Sequence, residues 1–427
     1  MTIHVELGLM GELQRAPFES AVAETIALHP LLAARAQWRG RWPWWVERSR
    51  EPVAIEWQAS NPPPTTQRPP KIDILIGPGV RFVVHASANY SSILIFFHHS
   101  CCDGQGARRF LFDLLSNYEK GVMGDASLRT AAKLDELVQA RLMRRADLAA
   151  PVNNEVTEAA PKLGWREQVA GMTTFFRDKP SPLAPGLKAK AKQPAENRVH
   201  HVLFEPEETA NLRTRSQQEG TTFNDVAIAL LMRTASEWNH ERGQGSDRER
   251  IRITMPTDLR QKEDDRSPAS NRVGYSFPTL SRHEMRTWPE LLARVKRETE
   301  IIKERRLGAE FVTNITMAQA VPFLFPLFLK WTSCLSTAIL TNLGDATRRL
   351  RRRFPLDAGR MVVGGLPLQC IIATPPVRPG TRAGFGMCVC GGRLALSVLT
   401  DPHYFGDEDT RRLLSHYVHA IRDWNSS

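Results

Sequence analysis

The chain has 427 residues, 42% of them hydrophobic and 24% charged, which is ordinary for a globular protein of two or three domains and excludes a disordered, collagenous or disulfide-stapled class. A formal charge of +11 favours anionic ligands, acidic partners or a membrane surface without choosing among them. Six cysteines, with neither a CxxC pair nor a framework of spaced bridges, point to a reducing, cytoplasmic setting.

The N-terminus, MTIHVELGLMGELQRAPFESA, lacks the parts of a signal peptide and alternates as a strand through Val5, Leu7 and Leu9. Pro17 then opens a predicted helix with Phe18, Val22 and Ile26 at four-residue spacing. HPLLAARAQW (29–38) connects to a further strand, NPPPTTQRPP (61–70) is a polyproline-like loop, and strands are predicted at about 80–86 and 92–98. GQGARRFLFDLLSNY, from 104, is helical, with Phe110, Leu114 and Leu115 inward.

Short helical pieces at 134–148 and 164–178 precede PSPLAPGLKAKAKQP (180–194), read as an interdomain linker. The expected organisation is therefore an N-terminal domain at 1–179, a linker at 180–197 and a C-terminal domain at 198–427. In the second half HHVLFEP is a strand, TTFNDVAIALLMRTASEW a buried helix, IRITMPTDLR a strand running into a loop, and 288–305 an amphipathic helix. MAQAVPFLFPLFLKW (317–331) is too short and too interrupted by proline to span a bilayer; it is read as buried or tunnel-lining, with peripheral membrane contact the lesser alternative. Leu394, Leu396 and Val398 mark a late strand, and Leu414, Tyr417, Val418 and Ile421 the stripe of a final helix. Strands mixed with helices of varied length, without regular β-α-β alternation, predict an α+β fold. The arginines at 348, 349 and 351–353 come without any nucleic-acid-binding signature and read as a solvated face, so no nucleic acid partner is expected.

The chemistry concentrates in FFHHSCCDGQGARRF (96–110). Neighbouring residues on extended chain point to opposite sides, so His98 with His99, or Cys101 with Cys102, cannot easily share an ion, and no metal site is expected. Cys101 and Cys102 are either nucleophiles with His99 as base or small fillers beneath a loop. A third reading makes His99 a lone base at the exit of a core strand, with Asp103 as N-cap of the next helix, whose N-terminus favours negative charge. Its alternative is a satisfied core histidine with a structural cap.

HHSCCDG (98–104) resembles the HHxxxDG motif of the thioester-dependent acyltransferases of the chloramphenicol acetyltransferase fold. That superfamily includes peptide-synthetase condensation domains, alcohol acyltransferases and wax-ester or diacylglycerol synthases. HPLLAARAQ, TTFNDVAIALL, MPTDLR (255–260), SNRVGYSFPTL, STAILTNLG and GRLALSVLTDPHYFGDE are similar to further segments of the family, in family order. The resemblance implies two chloramphenicol acetyltransferase-like subdomains in a V shape with a tunnel between them. It implies His99 as general base, Asp103 as a brace paired with Arg260, and Gly104 as the backbone amide near the oxyanion. His98, Asn271, Gly274, Ser276 and Asn342 become candidate tunnel residues.

It further implies a stand-alone enzyme, with no permanently bound cofactor and no acyl-enzyme. The expected donor is acyl-CoA or a phosphopantetheine thioester on an acyl carrier protein; the expected acceptor is an alcohol or lipid hydroxyl in preference to an amine. Laid against the condensation-domain segment VGxFxNTLP, the usual asparagine falls on Pro278, which argues against a standard amide-forming module. Two alternatives accompany this expectation: an amide-forming condensation enzyme, and a catalytically idle protein that binds a carrier protein or lipid.

Overall fold

The computed structural model describes residues 1–40, 42–46, 53–58, 69–124, 136–143, 175, 177–186, 198–262, 264, 267–320, 333–348 and 350–426. The first half carries β1 (Thr2–Met10), α1 (Arg15–Leu28), the one-turn α2 (Pro30–Ala33), β2 (Arg35–Arg39), β3 (Trp42–Val46), β4 (Ile55–Gln58), β5 (Val80–Ala86), β6 (Tyr90–His98), α3 (Gly104–Met123) and α4 (Glu136–Met143). There follow β7 (His200–Leu203), α5 (Pro206–Gln218), α6 (Phe223–Glu241), β8 (Arg250–Asp258), β9 (Val273–Ser276), β10 (Thr279–Ser281), α7 (Trp288–Glu304) and α8 (Leu307–Ala320). The chain closes with β11 (Ala338–Asp345), β12 (Leu356–Asp357), β13 (Arg360–Val363), β14 (Leu366–Thr374), β15 (Ala383–Cys390), β16 (Arg393–Thr400) and α9 (Asp407–Ser426).

Two large sheets organise these elements. One runs β12-β13-β14-β1-β6-β5-β4; the other runs β10-β8-β11-β15-β16-β7, with β9 paired to β8. In β1 the odd positions Ile3, Val5, Leu7 and Leu9 enter a core shared with Phe18 and Val22 of α1 and with Phe110, Leu114 and Leu115 of α3. The second core gathers the apolar run of α6, the stripe of α7 and Leu414, Tyr417, Val418 and Ile421 of α9. β15 is the wall between them: Phe385, Met387 and Val389 face the second core, while Cys388 and Cys390 enter the first. All six cysteines are free, and those of β15 serve as small apolar fillers.

The expected domain boundary needs correction. β14 pairs antiparallel with β1, placing Ile372 opposite Glu6 and Ile371 opposite Leu7, so residues 356–374 complete the sheet begun by the N-terminal half. Without β14, that edge of β1 would present a row of unpaired backbone groups. Nor is 180–186 a loose linker. Ser181 N donates to Arg250 O (2.9 Å), Ala184 N to Asn239 Oδ1 (2.6 Å) and Gly186 N to Tyr404 O (2.8 Å), while Leu183 and Ala184 are buried in the second core. The rest of that expectation, 187–197, lies outside the described residues, as do most of the proline-rich loop, most of the helical pieces between 144 and 174, and 321–332 of the apolar segment. Among the described residues no helix is long and apolar enough to cross a membrane.

On the other face of β1, Glu6 is only 9% exposed. Ser92 Oγ donates to its Oε1 at 3.1 Å, and Oε2 has no partner among the described residues. Burial, only partly countered by Ser92, pushes this carboxyl up from 4.5 to about 7. Stability from a raised carboxyl is fully present below the unfolded value and lost as pH climbs through the folded one. Glu6→Gln is therefore expected to stabilise the protein at pH 9 by roughly 3 kcal/mol more than it does at pH 4. Urea unfolding at both pH values measures this, and equal effects at the two would contradict it.

Candidate active site

The motif loop joins β6 to α3. Seven consecutive buried residues of β6, Ser91 to Phe97, carry the chain to His98 and His99 at the strand's exit. Asp103 then caps α3, its Oδ1 accepting from Gly106 N at 2.7 Å. This satisfies one of the amides that a helix start leaves without an intrahelical partner.

Asp103 also joins the two halves of the chain. Arg260 donates through both terminal nitrogens to its carboxylate, at 2.9 and 3.0 Å, and Arg272 N donates to Oδ2 at 2.6 Å. Arg260 further donates to Ser270 O (2.8 Å) and Asp258 Oδ1 (3.1 Å). The expected pairing of Asp103 with Arg260 is therefore present, bidentate and nearly buried, with side chains 4% and 14% exposed. Burial opposes the Arg260 charge, but Asp103 and Asp258 more than offset it and raise the guanidinium's pKa. His29, of the HPLL segment, ties in the same loop: Ala269 N donates to its Nδ1 at 2.7 Å, leaving Nε2–H for Asp113 Oδ2 at 3.1 Å.

His99 Nδ1 lies 3.2 Å from Cys102 O, which only accepts; the tautomer that makes this bond carries its proton on Nδ1 and its lone pair on Nε2. Asn271 Nδ2 donates one of its two hydrogens to His99 O at 2.7 Å and also lies 3.2 Å from Nδ1. Tyr275 OH is 3.5 Å from Nε2. Burial lowers the pKa of His99 below 6.5, against the raising effect of its backbone hydrogen bonds and Asp103, so the neutral base form prevails at neutral pH.

The other residues of the motif have contacts of their own. His98 Nδ1 accepts from Ser100 N (3.3 Å), and burial with the nearby N-terminus pushes its pKa down to about 4. Cys101 and Cys102 are fully buried, and burial holds the Cys102 thiol well above its usual range, against a nucleophilic thiolate. Among the described residues no group of three or more His, Cys, Asp or Glu side chains could hold a metal ion. Gly104 is constrained by space, because a Cβ there would lie 2.5 Å from Leu343 Cδ2.

Of the candidate tunnel residues, Asn271 bonds to His99, while Gly274, Ser276 and Asn342 have other neighbours. A Cβ on Gly274 would run into Gly308 of α8, and Ser276 Oγ is 3.3 Å from Thr257 Oγ1 on the facing strand. Asn342 donates to Asn224 Oδ1 at 3.3 Å. The residue of β9 that does approach His99 is Tyr275, which lies between the two expected ones and on the opposite face of the pleat. Burial and then Asp103 push its hydroxyl up to about 12, so it stays a neutral donor. Pro278 is buried and accepts from Ile253 N through its carbonyl (3.1 Å).

No family model and no curated protein sequence matches the chain. Solved structures match it along its whole length. The first condensation domain of the CDA synthetase superposes with a TM-score of 0.64 at 14% identity over 100% of this chain and 91% of that one. The SgcC5 protein from Streptomyces globisporus does so with a TM-score of 0.63 at 13% identity, covering 100% and 92%. Polyketide synthase associated protein 5 from Mycobacterium tuberculosis gives 0.61 at 15%, covering 100% and 94%. With its two sheets and two cores, the chain therefore has the two-lobed, α+β, chloramphenicol acetyltransferase-like fold of condensation domains.

Proposed function

We propose that the protein is an acyltransferase that moves an acyl group from a thioester of coenzyme A, or of a carrier-borne phosphopantetheine, to a hydroxyl acceptor. The observation that carries this reading is the placement of His99 at the exit of β6 with Nδ1 3.2 Å from Cys102 O, since the tautomer that donates there presents Nε2 as the base. The acceptor oxygen attacks the thioester carbonyl while its proton passes to Nε2, and the amide of Gly104 is assigned to the developing oxyanion. Collapse of the tetrahedral intermediate breaks the C–S bond, and the leaving thiolate takes the proton back from Nε2. Asp103 and Arg260 hold the loop and touch no reacting atom.

The experiment is a matrix of acyl-CoA donors against alcohols and amines, read by release of free thiol. Acceptor-dependent release is expected with at least one alcohol. Release with amines alone would move the reading to amide formation, and none with any pair would leave the idle-binder alternative. Tyr275 provides a finer test. At 3.5 Å its hydroxyl is outside the usual range of a strong hydrogen bond, so Tyr275→Phe is expected to change kcat by no more than about tenfold. A larger loss would make the hydroxyl part of the proton path.

A further inference from the structure

Beside the Asp103–Arg260 brace lies a cleft of about 510 Å³, within the range of small-molecule sites. Its wall carries five cations, Arg108, Arg109, Arg260, Lys262 and Arg353, and three carboxylates. Each carboxylate is already engaged: Asp258 by Arg260 (3.1 Å), Asp264 by Arg272, and Asp345 by Arg351 (3.2 Å). Arg272 and Arg351 lie outside the wall, so the lining keeps a surplus of positive charge.

Two of the cations are available to a ligand. Lys262 and Arg353 are exposed, and neither has an ion pair among the described residues. Phe112 gathers charge further, with the guanidinium of Arg109 5.3 Å and that of Arg353 4.9 Å from its ring centre. Arg109 is already paired with Asp113, at 2.9 Å to Oδ2 and 3.1 Å to Oδ1, so of the two cations at the ring it is Arg353 that a ligand would engage. Arg353, of the arginine run read as a solvated face, is exposed and also packs on Phe112.

We infer that this cleft binds the phosphate-bearing end of the thioester donor. The inference rests on the acyl-transfer reading and adds to it the part of the donor that is recognised. Arginine forks and a lysine point charge suit phosphate oxygens. Gly106 and Arg260 line the cleft and also bond Asp103, so a donor anchored here is anchored to the loop that carries His99.

The test uses the full chain and the double charge reversal Lys262→Glu/Arg353→Glu, at exposed positions outside the catalytic machinery. Three donors carry one acyl group: coenzyme A, a phosphopantetheinylated carrier protein, and N-acetylcysteamine, which has no phosphate. The reversal is expected to raise KM for a phosphate-bearing donor by about tenfold or more and to leave kcat/KM for the N-acetylcysteamine thioester unchanged. Calorimetry with coenzyme A, and separately with the carrier protein, reads binding without catalysis. A response to coenzyme A or to the armed carrier identifies the source of the phosphate. Unchanged binding of both overturns the inference, and so does equal weakening of a carrier protein that lacks the arm, which would make the cleft an acidic-protein surface. Weakened binding of coenzyme A by the reversal, in a protein that turns over no thioester, would uphold the cleft and sink the acyl-transfer reading instead.

Discussion

Replacing His99 with alanine is expected to lower kcat/KM for acyl transfer by about 10²–10⁴-fold, the usual contribution of a positioned general base. The fold should survive, because the backbone of His99 makes its contacts independently of the ring: its amide donates to Met1 O (2.9 Å) and its carbonyl accepts from Asn271 (2.7 Å). The pH profile carries the same claim with a sign. The base must be neutral, and burial lowers its pKa, so activity should fall only as pH drops below 6.5 and should be flat from 7 to 8. An acid limb centred above 6.5, or an alanine variant as fast as the wild type on every competent pair, would remove His99 from the mechanism.

The second large effect is on stability. Asp103 accepts from Gly106 N, Arg260 and Arg272 N from a nearly buried position. Removing one partner of such a pair leaves the other charge desolvated, so Arg260→Ala and Asp103→Ala should each cost about 3–5 kcal/mol. Loss of the N-cap adds about 1 kcal/mol to the Asp103 variant. Because both changes break one network, the double variant should lose little more than the worse single, giving a large coupling in a double-mutant cycle by urea unfolding. Additive losses would show that the two side chains do not act as a unit.

The two effects separate the roles within the motif. In the proposed reaction the ring of His99 meets the reacting atoms and makes none of the hydrogen bonds to Asp103. Asp103 does the reverse, spending its lone pairs on a helix amide, a guanidinium and a loop amide from the second half of the chain. A thermally destabilised Arg260 variant that keeps its pH profile at low temperature would be the signature of bracing.

What the sequence determined by itself was local. The alternation of β1, the apolar run of β6, the cap at Asp103 and the stripes of α3, α7 and α9 depend on neighbours within about four residues, and they are read from spacing alone. The motif order likewise pointed to the α+β fold and to Arg260 as the partner of Asp103. Only the tertiary structure decided the rest. The pairing of β14 with β1 joins segments some 360 residues apart through backbone hydrogen bonds that any apolar strand could make. The choice of Tyr275 over Gly274 and Ser276 turned on which face of β9 meets His99, and one step along a strand reverses that face. The gathering of Lys262, Arg353 and Arg109 around one cleft is not written in any single segment, because charge adds up in space and not along the chain.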